Sequence, residues 1–143
     1  ELQFESFEGR PLVAAAGVNW GEFYTGSSAE YEAQLAWKPG KHFSASADYT
    51  RTDIRLAAGA FAIDEVGARL NLSLSPRLYG SVFGQWNNDD DEILFNFRLT
   101  WIPKPGACLY LVFNQFGDTL DPHRWRMNKT VAMVKFVWYF STR

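Results

Sequence analysis

The sequence predicts an all-β fold: an antiparallel up-and-down transmembrane β-barrel of eight full strands, with a short N-terminal strand besides. Three observations predict it. The first is alternation. In residues 93–101, Ile93, Phe95, Phe97, Leu99 and Trp101 share one face, and Asn96, Arg98 and Thr100 take the other. Successive strand side chains point to opposite faces, so a period of two reads as β. Pro103, Pro105 and Gly106 break the run, and Leu109, Leu111 and Phe113 then oppose Tyr110 and Asn114. The second is composition. Aromatic residues make up 17% of 143 residues, yet the mean hydropathy is slightly negative. Alternation produces that combination, in a sandwich with a wet outer face or a barrel with a wet interior. The third is the spacing of turns. Gly9-Arg10-Pro11, Pro39-Gly40, Ser75-Pro76 and residues 103–106 are short turns after every second strand. Most of the intervening links read as longer and more polar, the layout of a barrel with short turns at one membrane surface and loops at the other.

The elements follow in order. Residues 2–7 alternate briefly, and residues 1–10 read as a short strand or a periplasmic tail. Leu12, Ala14, Ala16, Val18 and Trp20 are in phase over residues 12–23. Residues 25–28 turn the chain. Tyr31, Ala33, Leu35 and Trp37 then oppose Glu30, Glu32, Gln34 and Lys38. After the turn at residues 38–41, Phe43, Ala45, Ala47 and Tyr49 face away from Ser44, Ser46, Asp48 and Thr50. Residues 51–62 read as a link. Val66, Ala68, Leu70, Leu72 and Leu74 oppose Glu65, Arg69, Asn71 and Ser73. In residues 78–86, Leu78, Val82 and Trp86 compete with Tyr79 and Phe83 for the apolar face. Residues 87–91 link to the strand at 93–101, and residues 117–128 read as the longest connection. Val134, Phe136, Trp138 and Phe140 close the chain, with Lys135 opposite.

Segments of about ten residues fit tilted spanning strands. Trp37, Phe43, Trp101, Trp138 and Phe140 gather toward the short-turn end, and Trp20, Phe23, Tyr49, Trp86 and Phe95 toward the other. Two such girdles are expected at two membrane interfaces. The apolar phase, including Leu72, should then face lipid. Glu32, Asp48, Glu65, Arg69, Arg98 and Lys135 should point inward as a paired or hydrated interior network, because unpaired buried charge is costly. The alternative is a soluble lipocalin-like ligand-binding barrel with the apolar face inward.

Little in the chain carries chemistry. The net charge of −2 argues against a nucleic-acid surface. Cys108 is alone, so no intrachain disulfide forms. No run of 18 apolar residues exists to make a transmembrane helix. No GxSxG, HExxH, CxxC or phosphate loop occurs, and no cofactor is implied. His42 and His123 fall at opposite ends of the barrel. The chain therefore leans away from enzymes, the alternative being a small outer-membrane enzyme acting on lipid or glycan. Two clusters remain. Asp89, Asp90 and Asp91 could hold a hard cation such as Ca²⁺, which prefers carboxylates. Asp118, Asp121, His123, Arg124, Trp125 and Arg126 share the longest connection, where an aromatic beside basic groups could contact a sugar or phosphate.

The stretch NFRLTWIPKPGACLYLVFNQFGDT, residues 96–119, resembles the C-terminal end of a bacterial family of unknown function. Its members carry an N-terminal family-9-like carbohydrate-binding domain and then a long outer-membrane β-barrel domain. Phe23-Tyr24-Thr25-Gly26, residues 49–54 and Val134-Lys135-Phe136 are also similar to it. Leu99-Thr100 before Trp101, Lys104 before Pro105-Gly106, and Ala107-Cys108 depart from the family pattern. The resemblance implies a single barrel domain over residues 1–143, the C-terminal part of a larger barrel in the bacterial outer membrane. It would be a membrane anchor or conduit serving a surface carbohydrate-binding module. No catalytic residues transfer. The in-phase aromatic Phe140 is similar to the signal read by the barrel-assembly machinery. The partners expected are outer-membrane lipid and lipopolysaccharide, that machinery, and carbohydrate. If the strands from Leu12 onward instead close alone, Leu12–Phe23 should pair with residues 130–140.

Overall fold

The computed structural model describes residues 1–6, 9–121 and 124–139. Its nine strands are β1 (Leu2–Glu5), β2 (Leu12–Phe23), β3 (Gly26–Gly40), β4 (Phe43–Leu56), β5 (Gly59–Ser75), β6 (Leu78–Asn87), β7 (Glu92–Lys104), β8 (Ala107–Asp121) and β9 (Arg124–Trp138). They form one antiparallel up-and-down sheet in sequence order, so the all-β reading stands. β1 lies along Ala15–Val18 of β2, and β2 otherwise pairs with β3. Among the described residues β9 pairs with β8 alone. The alternative in which β2 pairs with β9 is therefore not what forms. Neighbours alternate in direction, so β1 and β9, the two edges, run the same way.

Three links expected between strands are largely strand. Residues 51–62 carry β4 to Leu56 and start β5 at Gly59. Residues 117–121 extend β8 and residues 124–128 open β9, with Asp118 opposite Arg126 and Asp121 opposite Arg124. The turn placed at residues 25–28 is Tyr24-Thr25, and β3 already begins at Gly26. Long loops at one end and short turns at the other is thus not the pattern seen. Of the described connections at the end away from Pro105-Gly106, only residues 88–91 exceed two residues.

The ladder register gives the sheet two unlike faces. On the apolar face, the row that starts at Trp37 continues through Ala45, Leu70, Val82, Phe97 and Phe113 to Ala132. The apolar stretch does not follow such rows. On β3 it runs from Trp37 up to Ala29, on β5 from Leu74 to Val66, on β7 from Trp101 to Ile93, and on β9 from Trp138 to Ala132. Beyond it on the same face come Glu22, Ser27, Arg51, Asp64, Gln115 and Thr130. One hydrogen-bonded row therefore leaves the bottom of the band on β3 and arrives at its top on β9. The band slips by about one residue per strand. With a rise of about 3.3 Å per residue and strands about 4.8 Å apart, that sets the strands roughly 35–40° from the band's normal.

Almost nothing is buried. Ile54 and Ala107, 7% and 2% exposed, are the buried apolar residues among those described. Trp37 is 48% exposed, Leu70 47%, Phe136 57% and Val134 69%. Among the described residues nothing covers the apolar face. Aromatic pairs tile its near end instead, Trp37 against Phe43 with ring centroids 5.5 Å apart and Phe136 against Trp138 at 5.7 Å. Lys104 Nζ lies 3.9 Å from the centre of the Trp138 ring, its apolar stem on the face and its charge at the margin.

Pro105-Gly106 joins β7 to β8, and Lys104 pairs with Ala107. Proline fixes φ at the first turn position, and Gly106 has φ +83° at the second, the requirement of a type II turn. Gly106→Ala puts a Cβ where left-handed backbone costs about 1–2 kcal/mol. Chemical denaturation of the folded protein should show a loss of that size, and an unchanged midpoint would exclude the turn assignment.

Candidate functional site

The polar face carries the charged residues expected of it. Glu32, Asp48 and Glu65 stand on β3, β4 and β5, and Arg69, Arg98 and Lys135 on β5, β7 and β9. Arg69 is in the row of Phe83 and Asn96, two residues above Arg98. Arg98 in turn is in the row of Val112 and Met133, two residues above Lys135. Two residues for every two strands is the slip of the apolar band. The three cations therefore lie at one height, behind the middle of the band.

The interior network does not form as ion pairs. Among the described residues both ion pairs belong to Arg51, on the apolar side of the sheet. Glu32 and Glu65 share a ladder row toward the Tyr24-Thr25 end, above the cations, whereas Asp48 is diagonal to Arg69 on the next strand but turns its carboxylate aside. Arg69 places its guanidinium 4.7 Å from the centre of the Phe83 ring. The Asp48 carboxylate lies over Gly67, occupying the space a Cβ there would need. Asn96 and Asn114 hydrogen-bond side chain to side chain between β7 and β8.

Below the cation row, toward the Pro105-Gly106 end, the polar face holds a groove of about 360 Å³ that spans β3 to β7. Lys38, Lys41, His42 and Arg98 line it, and its lining contains no carboxylate. Register builds the floor: Ser44 opposes Asn71, Asn71 opposes Ser81, and Ser81 opposes Arg98. Asn71 Nδ2 donates to Ser44 Oγ at 3.1 Å. His42 Nδ1 donates to the Ser73 carbonyl at 2.6 Å, which ties the β3–β4 turn to β5. A carbonyl only accepts, so Nδ1 carries the proton.

A second polar cluster marks the upper border of the apolar band. The Tyr49 hydroxyl donates to Asp64 Oδ1 at 2.6 Å. Arg51 reaches Asp53 Oδ1 at 3.0 Å and Asp64 Oδ1 at 3.4 Å. Asn88 Nδ2 donates to Asp64 Oδ2 at 3.3 Å, and the Asp64 amide donates to Asn88 Oδ1 at 2.8 Å. The sequence reading missed this cluster because it took residues 51–62 for a link. The signal was present: Arg51, Asp53 and Arg55 continue the phase of Tyr49.

The two sites read from the sequence fare differently. Asp89, Asp90 and Asp91 form a turn, not a cation cage. The Asp90 amide donates to Asn87 Oδ1 at 3.0 Å, and Asp91 has φ +51°. Among the described residues no three His, Cys, Asp or Glu side chains converge on a metal position. Of the second set, Asp118 and Arg126 face each other across the ladder, and Asn128 Nδ2 donates to Asp118 Oδ2 at 2.8 Å. Asp121 ends β8 and Arg124 and Trp125 open β9, so these residues lie on two paired strands; His123 lies outside the described residues.

Comparison with family models, with curated proteins and with solved structures returns no match. The fold and its two faces define the class: an all-β antiparallel sheet, apolar on one side and polar on the other.

Proposed function

We propose that this chain is a transmembrane β-barrel wall of the bacterial outer membrane, acting as membrane anchor or conduit. The oblique apolar band carries the reading. A soluble sheet buries its apolar face against a second layer, and here nothing among the described residues covers it. A membrane is a slab, so a barrel whose strands tilt by about 35–45° must carry an apolar band that slips along the strands. The slip of about one residue per strand corresponds to that tilt. The band is also bordered as an interface requires, with Trp37, Trp101 and Trp138 below and Trp20, Tyr49 and Trp86 above. The resemblance of residues 96–119 to a barrel family with a carbohydrate-binding module supports the same reading, and makes that module the partner an anchor would serve.

The reading has a consequence at the edges. Lipid supplies no hydrogen bonds, so β1 and β9 must each find a strand. They run the same way, so a direct ladder between them would be parallel.

Spin labels test the band. Reconstituted into lipid vesicles, labels at positions 35, 70, 97 and 134 should relax with oxygen, which concentrates in lipid. Labels at 53, 60 and 69 should relax with a water-soluble nickel chelate. Equal nickel access at 70 and 60 would exclude the membrane reading.

A further inference from the structure

We propose that the polar-face groove between β3 and β7 is a binding site for a small free oxyanion of the phosphate or sulfate class. The groove holds about 360 Å³, enough for such an anion with its hydration or for a phosphorylated small molecule. Its charge is of one sign. Lys38 comes from β3, Lys41 and His42 from the β3–β4 turn, and Arg98 from β7, with no carboxylate in the lining. The acidic residues of this face lie outside the lining: Glu32 and Glu65 are toward the opposite end, and the Asp48 carboxylate lies over Gly67. Arg69 and Lys135 stand at the height of Arg98 and add to the field from β5 and β9. Arg98 presents a planar fork of donors, suited to two oxygens of one anion. Neutral donors complete the set, since Ser44, Asn71, Ser81 and Thr100 share the lining with it.

The ligand is assigned to solution because the groove opens on the face opposite the apolar band. An anionic lipid headgroup has the same chemistry, and the test separates the two. The full chain is folded in uncharged detergent micelles and titrated with inorganic phosphate by calorimetry. One-site saturable binding is expected, weakened at least about tenfold by Arg98→Gln and restored only in part by Arg98→Lys, which keeps the charge and loses the fork. A tenfold loss corresponds to about 1.4 kcal/mol. Arg55→Gln, far from the groove, should leave binding unchanged. Circular dichroism of Arg98→Gln checks that the fold is kept. Heat that does not saturate, or Arg98→Gln binding as the parent does, overturns the proposal. Binding to phosphatidic acid in mixed micelles without binding to inorganic phosphate also overturns it, in favour of a headgroup. Micelle titration and vesicle labelling are separate measurements, so this site and the membrane reading can fail independently.

Discussion

Leu70→Arg should lower the folding stability of the protein in lipid by about 2–4 kcal/mol, and Ala62→Arg by about 0–1 kcal/mol. Both positions lie on β5 and on the same face, Leu70 exposed and Ala62 half-buried. Leu70 is 47% exposed, in the row of Val82 and Phe97 at the centre of the band. Ala62 opposes Asp53, beyond the Tyr49–Asp64 border. A soluble sheet gives no reason for the pair to differ, because an exposed Arg is accommodated at either place. In lipid the difference follows from depth, since a guanidinium at the midplane must be hydrated through a defect while one at the surface is already wet. Urea-driven unfolding from vesicles measures it. Equal losses at the two sites would mean that the band is not at membrane depth.

The same border explains what the sequence disclosed and what it did not. β2 was legible to the residue, because Leu12, Ala14, Ala16, Val18 and Trp20 stay in phase between two turn signals. β4 was legible only up to Thr50. Alternation is a record of two different media on the two faces. Past Tyr49 the apolar face gives way to Arg51, Asp53 and Arg55, so both faces are polar. The hydropathy period disappears there although the ladder continues to Leu56. Residues 117–128 fail for the same reason, with Asp118 and Arg126 opposed in a strand pair that reads as a loop. The polar-face charges show the other limit. Phase assigns Glu65 and Arg98 to one face without fixing their heights. Only the cumulative register over several strands shows that the three cations lie at one height and that Glu32 and Glu65 lie above them. The groove at Arg98 was unreadable on that account, since Ser44, Asn71, Ser81 and Arg98 come from four strands.

Gly80→Ala should destabilise the protein by about 1–3 kcal/mol, and Gly84→Ala should be neutral or slightly stabilising. The two glycines are on β6, four residues apart, and both face the apolar side. By composition they are equivalent, and on a lipid-facing strand each would gain apolar contact from a methyl group. The backbone around them differs. A Cβ at Gly80 would stand 2.7 Å from the Arg98 carbonyl oxygen and 3.2 Å from Leu99 Cδ1. At Gly84 the nearest atom, the Leu94 carbonyl oxygen, is 3.9 Å away, an ordinary contact. Leu99 can change rotamer, but the Arg98 carbonyl belongs to the β6–β7 ladder, where Ser81 opposes Arg98 and Gly80 opposes Leu99. Making room there means pushing β7 away from β6 at the level of the groove. The substitution should therefore also weaken phosphate binding, because Ser81 and Arg98 sit on the two strands being separated. Denaturation midpoints of the two variants in micelles measure the first effect. Similar midpoints for Gly80→Ala and Gly84→Ala would show that β6 and β7 are not as closely apposed at this point as the register requires.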